Sequence, residues 1–158
     1  VPQDRVLRGA ARNARTVWRI LTAAEAVGVG WAALQMAVDY AKVREQFGRT
    51  IGTFQAVKHR LADLWCEIQL TRSNCYYGAW ALSNDADELG IAACISRIAA
   101  CKAYDLAGVE MIQLHGGVGM TMEYSIGHYF KRLTMLEISW GDRDFHMDRL
   151  CDAGGLAA

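Results

Sequence analysis

Proline is nearly absent from the sequence: Pro2 is its single instance in 158 residues. Because the proline ring disfavours a helix interior, no position after residue 2 is barred from helix on that ground. A sustained two-residue alternation of polar and apolar residues, the pattern of a half-buried strand, is absent as well. Hydrophobic residues make up 53% of the chain, which is enough for the core of one domain. These features favour an all-α fold.

An excess of charge of either sign is also lacking, since 17 Lys and Arg residues face 17 Asp and Glu residues. Binding to nucleic acid or to an anionic membrane surface leaves a basic footprint, so neither partner is expected. No apolar run approaches the length of a membrane span, and the polar start VPQDRVLRGAARNAR is unlike a signal peptide. We therefore expect a cytoplasmic protein without a membrane span.

Metal-binding and disulfide patterns are missing too. The Glu-x-x-His pairs that build di-iron sites in helix bundles do not occur. The four histidines are scattered, and although His146 follows Asp142 by one turn, two ligands do not make a site, so no metal is expected. The cysteines form no CxxC pair and are expected to be buried, reduced thiols. They are Cys66, Cys75, Cys94, Cys101 and Cys151.

Apolar residues recur at steps of three and four along most of the chain, which is the spacing of one helix face. The pattern predicts helices from about Arg15 to Val43, Thr53 to Ser83, Asp87 to Leu114, Tyr124 to Leu136 and Arg143 to Cys151. Long helices with short connections pack as antiparallel neighbours. We expect an up-and-down four-helix bundle with one extra short helix, spanning residues 15–152.

The two ends of the chain read differently from the bundle. Residues 1–14 are typical of a linker that leaves another domain, and residues 153–158 of a frayed tail. With no initiating Met, we expect a fragment of a longer chain.

Three local features lead to structural predictions. Thr53 is a plausible N-cap of the second helix. Gly28 and Gly30 weaken the interior of the first helix by about 1 kcal/mol each relative to alanine, which suggests close packing of another helix or a ligand. Gly116 and Gly117 suit the C-terminal cap of the third helix, where a positive φ is needed.

The segment REQFGRT raises a functional question, because it joins two predicted helices with more chemistry than a hinge needs. Arg44 has a simple structural explanation, since a cation at a helix C-terminus is favoured by about 0.3 to 1 kcal/mol. Phe47 could likewise plug the end of the bundle. Gln113 precedes the glycine-rich HGGVG, and a glutamine amide beside exposed glycine backbone can face a flat polar ligand or a phosphate.

Two separated motifs resemble those of acyl-CoA dehydrogenases. YAKVREQFGRTIGTFQAVKHRLADL resembles their R-x-x-F-G and F-Q-x-x-x-x-x-L-A-D signature, and QLHGGVGMTMEYSIGHYFKR resembles their Q-x-x-G-G-x-G segment. The opening VPQDRVLRG is similar to the end of their middle β-domain. The resemblance covers essentially the whole chain. It implies the C-terminal helical domain of this family, without the N-terminal helical and middle β domains.

The resemblance also implies a cofactor and an assembly. In this family the bundle packs as a dimer of dimers, with FAD lying across a subunit interface. Arg44 would reach the flavin pyrophosphate of a neighbouring subunit, since a guanidinium fork suits phosphate geometry. Phe47 would line the cofactor, and Gln55 would donate or accept a hydrogen bond with it.

Four further residues are expected at the cofactor by the same resemblance. Gln113, Gly116 and Gly117 would cradle its adenosine-pyrophosphate end, because glycine lets backbone N–H groups approach closely. Asp142, at a position where the family has threonine, is the fourth.

The catalytic base of the family is missing at both of its known positions. The usual base is a glutamate directly before Gly-Thr, and Trp140 stands there in EISWGDRDF. The other position, on the first helix beside an arginine, aligns with Trp18 and Arg19. An indole cannot accept an α-proton at neutral pH.

Glu137 and Asp142 are the weak candidates for a replacement base. Misplacement by about 1 Å can lower a rate 100-fold, which argues against both. Asp142 more simply caps the last helix. Arg19, Trp140 and Gly141 are the residues expected at the substrate.

The interpretation that follows is an FAD-dependent acyl-CoA dehydrogenase subunit that lacks a base and works in a mixed tetramer. A sister subunit would supply the base, and an electron-transfer flavoprotein would accept the electrons. Some bacterial members of the family work as such tetramers on bulky acyl-CoA substrates, including steroid side chains. The alternatives are a non-catalytic helical scaffold and a flavin-binding relative associated with nucleic acid, which the balanced charge disfavours.

Overall fold

The structure is a computed structural model that describes residues 3–84, 87–122 and 124–155, with side chains described from residue 14 onward. Within these residues it contains helices α1 (Gln3–Val43), α2 (Gln55–Ser83), α3 (Leu89–His115), α4 (Ile126–Ile138) and α5 (Arg143–Asp152). The prediction of an all-α bundle is confirmed, with α5 as the short extra helix.

Two short strands, β1 (Glu45–Gln46) and β2 (Arg49–Thr50), form a hairpin between α1 and α2 that the sequence did not predict. One-turn 3₁₀ helices precede α2 at Ile51–Thr53 and follow α3 at Gly116–Met120.

Helix α3 is the centre of the bundle and packs against α1, α2, α4 and α5. Small side chains dominate the surfaces that meet. The buried alanines include Ala23, Ala26, Ala33 and Ala37 of α1 and Ala92, Ala93, Ala100 and Ala107 of α3. Because alanine lets helix backbones approach closely, a few larger side chains such as Leu64, Ile68 and Met111 are enough to fill the remaining space.

Helix α1 begins at Gln3, twelve residues before the predicted start near Arg15. The linker predicted over residues 1–14 is therefore helical where the structure describes it; residues 1 and 2 lie outside that part. The segment is rich in arginine and alanine, which are strong helix formers, and this propensity overrides the single Gly9.

Part of α1, Ala14–Val43, is long and apolar enough to cross a membrane by length and composition alone, contrary to the prediction. This is weak evidence for a span, because a core helix passes the same test, and 44% of the apolar window is buried inside the chain. The cytoplasmic location stays a prediction.

Two capping predictions have different outcomes. Thr53 does not cap α2, which begins at Gln55 after Phe54; the Thr53 hydroxyl instead donates to the carbonyl of Thr50 at 2.7 Å. The 3₁₀ turn has moved the helix start by two residues. Gly116 does cap α3, with φ of +62° and its N–H donating to the carbonyl of Ile112.

The thiols are all free, and three are buried as predicted: Cys75, Cys94 and Cys101. Burial raises the pKa of Cys75 to about 11, so this thiol stays protonated at neutral pH. Cys66 and Cys151 are exposed, contrary to the prediction, because they lie on the outward faces of α2 and α5.

The close helix approach predicted at Gly28 and Gly30 is not found there; the structure has it at Gly78 instead. A Cβ added at Gly28 would meet nothing within 4 Å, and one at Gly30 would make ordinary contact with Ile68 at 3.6 Å. At Gly78 of α2, by contrast, a Cβ would lie 2.8 Å from the Ser96 hydroxyl oxygen. That hydroxyl is fixed by hydrogen bonds to the carbonyls of Asn74 and Ala92, at 2.8 Å each.

We expect Gly78→Ala to destabilise the protein by about 1 to 3 kcal/mol through overpacking against α3. The matched change Gly28→Ala, on an exposed helical position, should stabilise it by about 0.5 to 1 kcal/mol through helix propensity. Urea denaturation measures both. Equal stabilisation by the two substitutions would contradict the close approach of α2 and α3.

Candidate functional site

The segment REQFGRT forms a tight β-hairpin. Glu45 pairs with Thr50 and Gln46 with Arg49, and the two central residues, Phe47 and Gly48, have φ of +55° and +75°. This is the backbone of a type I′ turn, which matches the twist of a two-residue hairpin.

The left-handed backbone conformation of Phe47 costs free energy. A left-handed backbone is unfavourable for a bulky residue by about 1 to 2 kcal/mol, and the Phe47 side chain is 91% exposed, so it regains nothing by burial. Among the described residues, the one ring that it contacts is that of Phe54, in a T-shaped arrangement with 6.2 Å between centroids. Strain combined with exposure is typical of a residue that contacts something outside its own chain.

The hairpin places Arg44 at the mouth of a cavity of about 440 Å³. Gln113, Gly116 and Gly117, almost seventy residues further along the chain, line the same cavity. We refer to it as the Arg44 cavity. The structure thus brings together four of the residues expected at the cofactor. Phe47 and Gln55 do not line it: both are exposed nearby, in the hairpin and at the start of α2.

The Arg44 cavity is open, and the guanidinium of Arg44 is free to bind a ligand there. Among the described residues, the Arg44 side chain makes no hydrogen bond or ion pair; the ion pairs there join other residues. A Cβ added at Gly116 or Gly117 would meet nothing within 4 Å, so the backbone at this end of α3 is uncovered.

His115 and Tyr40 are lining residues that sequence reasoning missed. Their rings stack with 4.2 Å between centroids, and the buried His115 Nδ1 lies 2.9 Å from the carbonyl oxygen of Met111. Burial lowers the pKa of His115, which favours the neutral ring. Tyr40 stands four residues before Arg44, so helical spacing could have placed it beside the arginine.

The second group of expected residues lies around the loop between α4 and α5. Trp140 and Trp18, at the two base positions implied by the resemblance, stack on each other with 6.0 Å between centroids and 9° between planes. The side chains are each about half exposed. The two base positions, 122 residues apart in the sequence, are therefore in contact in the fold.

Arg97 of α3 fixes this loop. It is completely buried, and its Nη2 donates towards four carbonyl oxygens: those of Leu136 at 2.9 Å, Glu137 at 3.2 Å, Ser139 at 2.8 Å and Gly141 at 3.1 Å. These carbonyls belong to the end of α4 and the loop after it, where backbone acceptors lack helical partners. The cation therefore stabilises the C-terminus of α4 and the path of the chain beyond it.

The fixed path forces an unusual backbone at the tip of the loop. Trp140 has φ of +66° and Gly141 has φ of +101°. A Cβ on Gly141 would lie 2.2 Å from the Phe145 ring, so position 141 requires glycine for two independent reasons.

Asp142 and Glu137, the two candidates for a replacement base, do not line the cavity beside Trp140. The Asp142 side chain accepts a hydrogen bond from the Phe145 N–H at 2.9 Å and caps α5, as its simpler interpretation predicted. Glu137 is partly buried, and burial together with Asp105 raises its carboxyl pKa. Its carboxyl does not line the cavity beside Trp140.

That cavity, of about 400 Å³, is lined by three arginines and two aromatic rings: Arg15, Arg19, Trp140, Phe145 and Arg149. We call it the arginine recess. Arg19 lies in its floor, 8% exposed, and burial lowers the pKa of its guanidinium. A larger cavity of about 770 Å³ adjoins it and is lined in addition by Asp148 and Asp152. Across the described residues no group of three metal-ligating side chains occurs.

The family model described as the acyl-CoA dehydrogenase C-terminal domain matches residues 9–154. The chain belongs to the acyl-CoA dehydrogenase family, as the two sequence motifs predicted.

Its relatives include acyl-CoA dehydrogenase IpdE2 of Mycobacterium tuberculosis, 45% identical over 113 residues that cover 72% of this chain and 34% of that protein. The solved ChsE4-ChsE5 complex from Mycobacterium tuberculosis is similar in fold, with a TM-score of 0.85 and 29% identity over 90% of this chain and 38% of that one. A solved FAD-dependent dehydrogenase gives a TM-score of 0.84 and 30% identity over the same shares, 90% and 38%. The chain thus spans 34% to 38% of the length of these proteins.

Burial of a histidine also makes the stability of the fold depend on pH. His146 of α5 is fully buried, and burial followed by the nearby Arg97 and Arg19 charges lowers its pKa to about 4. The unfolded chain, with an ordinary histidine pKa near 6.5, then binds more protons than the folded one between pH 6.5 and 4.

We expect this difference to reduce the free energy of unfolding by up to about 3 kcal/mol as pH falls from 6.5 to 4. Glutamine does not titrate, so the free energy of unfolding of His146→Gln should fall by about 3 kcal/mol less than that of wild type over the same pH range. Urea denaturation at each pH measures both. His59→Gln, on the exposed face of α2, is the control and should keep the wild-type profile. Parallel profiles for wild type and His146→Gln would contradict the buried neutral ring.

Proposed function

We propose that this chain is the base-lacking, FAD-contacting part of an acyl-CoA dehydrogenase that acts in a mixed assembly with a sister subunit. The observation that supports it most is the stacked pair Trp18 and Trp140, because both base positions implied by the family resemblance coincide there and neither indole accepts a proton.

No carboxylate of the described residues takes the place of the base beside Trp140. The arginine recess beside Trp140 has only cationic and aromatic lining residues. The Asp142 carboxylate is engaged as a helix cap, and Glu137 lies away from the recess. In the proposed assembly the group that abstracts the α-proton therefore comes from a sister subunit.

The Arg44 cavity fits the proposed cofactor. A free guanidinium and an uncovered glycine backbone are the groups that bind a pyrophosphate, and an exposed aromatic ring stands beside them in Phe47. When bound, FAD supplies a hydride acceptor for the β-carbon of the acyl group. The residues of this chain would hold its phosphates, while most contacts to the rest of the cofactor come from elsewhere in the assembly.

The outward surface of α2 supports the assembly. It exposes five large, mainly aromatic side chains: Trp65, Leu70, Tyr76, Tyr77 and Trp80. Apolar patches of this kind on a protein surface mark interaction sites. In the proposed assembly four such bundles pack as a dimer of dimers, and an electron-transfer flavoprotein reoxidises the flavin.

A non-catalytic scaffold is the second candidate, favoured by the same two tryptophans. It differs in one respect that can be measured, since a scaffold retains no flavin through this chain.

We expect Arg44→Gln to weaken FAD affinity of the assembled protein about tenfold, through loss of a charge-assisted contact to phosphate. The control is Arg49→Gln in the same hairpin, because the Arg49 guanidinium already lies over the Phe54 ring, 4.1 Å from its centroid. Equilibrium titration with FAD after flavin removal measures both. Unchanged affinity in Arg44→Gln would refute the pyrophosphate role and favour the scaffold.

A further inference from the structure

The arginine recess gathers positive charge from two helices. Arg15 and Arg19 lie one turn apart on α1, and Arg149 comes from α5. Arg15 and Arg149 are exposed at the rim, and Arg19 forms the floor. Three like charges around one cavity repel each other, so bringing them together without an anion is unfavourable.

Arg19 is the informative member of this cluster. Arg19 as a whole residue is 8% exposed, and its nitrogens are not among the fully buried polar atoms that lack a partner, so its guanidinium opens into the recess. Arg97 is the contrasting case, because it is completely buried and its Nη2 donates towards four backbone carbonyls. The Arg19 guanidinium has no hydrogen bond or ion pair with any side chain or carbonyl in the described part of the chain.

Two carboxylates lie close to the recess, since its three arginines also line the larger cavity, but they form no ion pair with those arginines. Asp148 and Asp152 line the adjoining larger cavity, yet neither reaches ion-pair distance of an arginine among the described residues. The recess itself has no acidic lining residue.

The remaining walls are aromatic. Trp140 is fixed by its stack on Trp18, and Phe145 lies under Arg149, whose guanidinium carbon is 4.8 Å from the ring centroid. A volume of about 400 Å³ is larger than a bare inorganic anion needs. The walls suit an apolar body and the arginines suit a planar oxyanion, which a guanidinium binds through two parallel hydrogen bonds.

We propose that the arginine recess binds a carboxylate carried on an apolar body. The inference rests on the proposed function only for the identity of the carrier. Because Trp140 stands at the base position implied by the family resemblance, a carboxylate beside it belongs to the acyl group of the substrate. The substrate class is then an acyl-CoA whose acyl group carries a second, free carboxylate.

The first test uses probes that need no flavin and no turnover. Calorimetric titration of the assembled protein with cyclohexanecarboxylate and with cyclohexanecarboxamide compares a charged and a neutral ligand of the same shape. We expect the carboxylate to bind about tenfold more tightly than the amide, and Arg149→Gln or Arg15→Gln to remove that preference. Arg143→Gln, exposed on α5 outside the recess, is the matched control and should keep it.

Three results would overturn the site. These are equal affinity for carboxylate and amide, an unchanged preference in Arg149→Gln and Arg15→Gln, and inorganic phosphate binding as tightly as the carboxylate.

The second test addresses the carrier, with glutaryl-CoA and pentanoyl-CoA as a pair that differs in the terminal carboxylate. Tighter binding of glutaryl-CoA by about tenfold, lost in Arg149→Gln, supports the substrate class. Equal binding of the two thioesters overturns the substrate class but not the recess. Absence of binding by both, with the free carboxylate still bound, also overturns the substrate class, whereas the proposed function stands or falls separately with the FAD affinity of Arg44→Gln.

Discussion

The hydrogen bonds from the buried Arg97 to the end of α4 are the interaction on which the functional end of this bundle depends. One guanidinium nitrogen donates towards the carbonyls of four residues between Leu136 and Gly141, so backbone dipoles offset much of the cost of burying this cation, whose Nε has no partner among the described residues. The loop cannot relax into an ordinary turn without breaking them. Trp140 is thereby held in a left-handed conformation and against Trp18.

Helix α1 connects the two candidate regions. Near its middle it presents Trp18 and Arg19 to the arginine recess, and just beyond its C-terminus it delivers Arg44 to the Arg44 cavity. Both regions need a second, distant segment to be complete: the α4–α5 loop at one and the end of α3 at the other. Packing of α1 against α3 through small side chains fixes the separation between them. In the proposed assembly, one region serves the acyl group and the other the phosphates of the cofactor.

Helical periodicity predicted the fold because buried residues recur every three or four positions along the helices, as in Leu64, Ile68, Thr71 and Cys75 of α2. It missed the start of α1, where propensity rather than burial extends the helix, and the hairpin, whose two-residue strands are too short for any period. Motif resemblance named Arg44, Gln113 and the two glycines, which the fold brings together. Arg15 and Arg149 carry no motif: Arg15 lies one turn from Arg19 on α1, and the packing of α5 against α3 brings Arg149 to the same recess.

The central claim, a subunit that contacts flavin but borrows its base, is tested most directly by isolating the assembly from its natural host. The full-length protein would be tagged, its co-purifying polypeptides identified by mass, and flavin counted per chain. The account predicts a second dehydrogenase chain with a glutamate at the position of Trp140, and fewer flavins than chains. A homomeric assembly with one flavin per chain and full activity would contradict it.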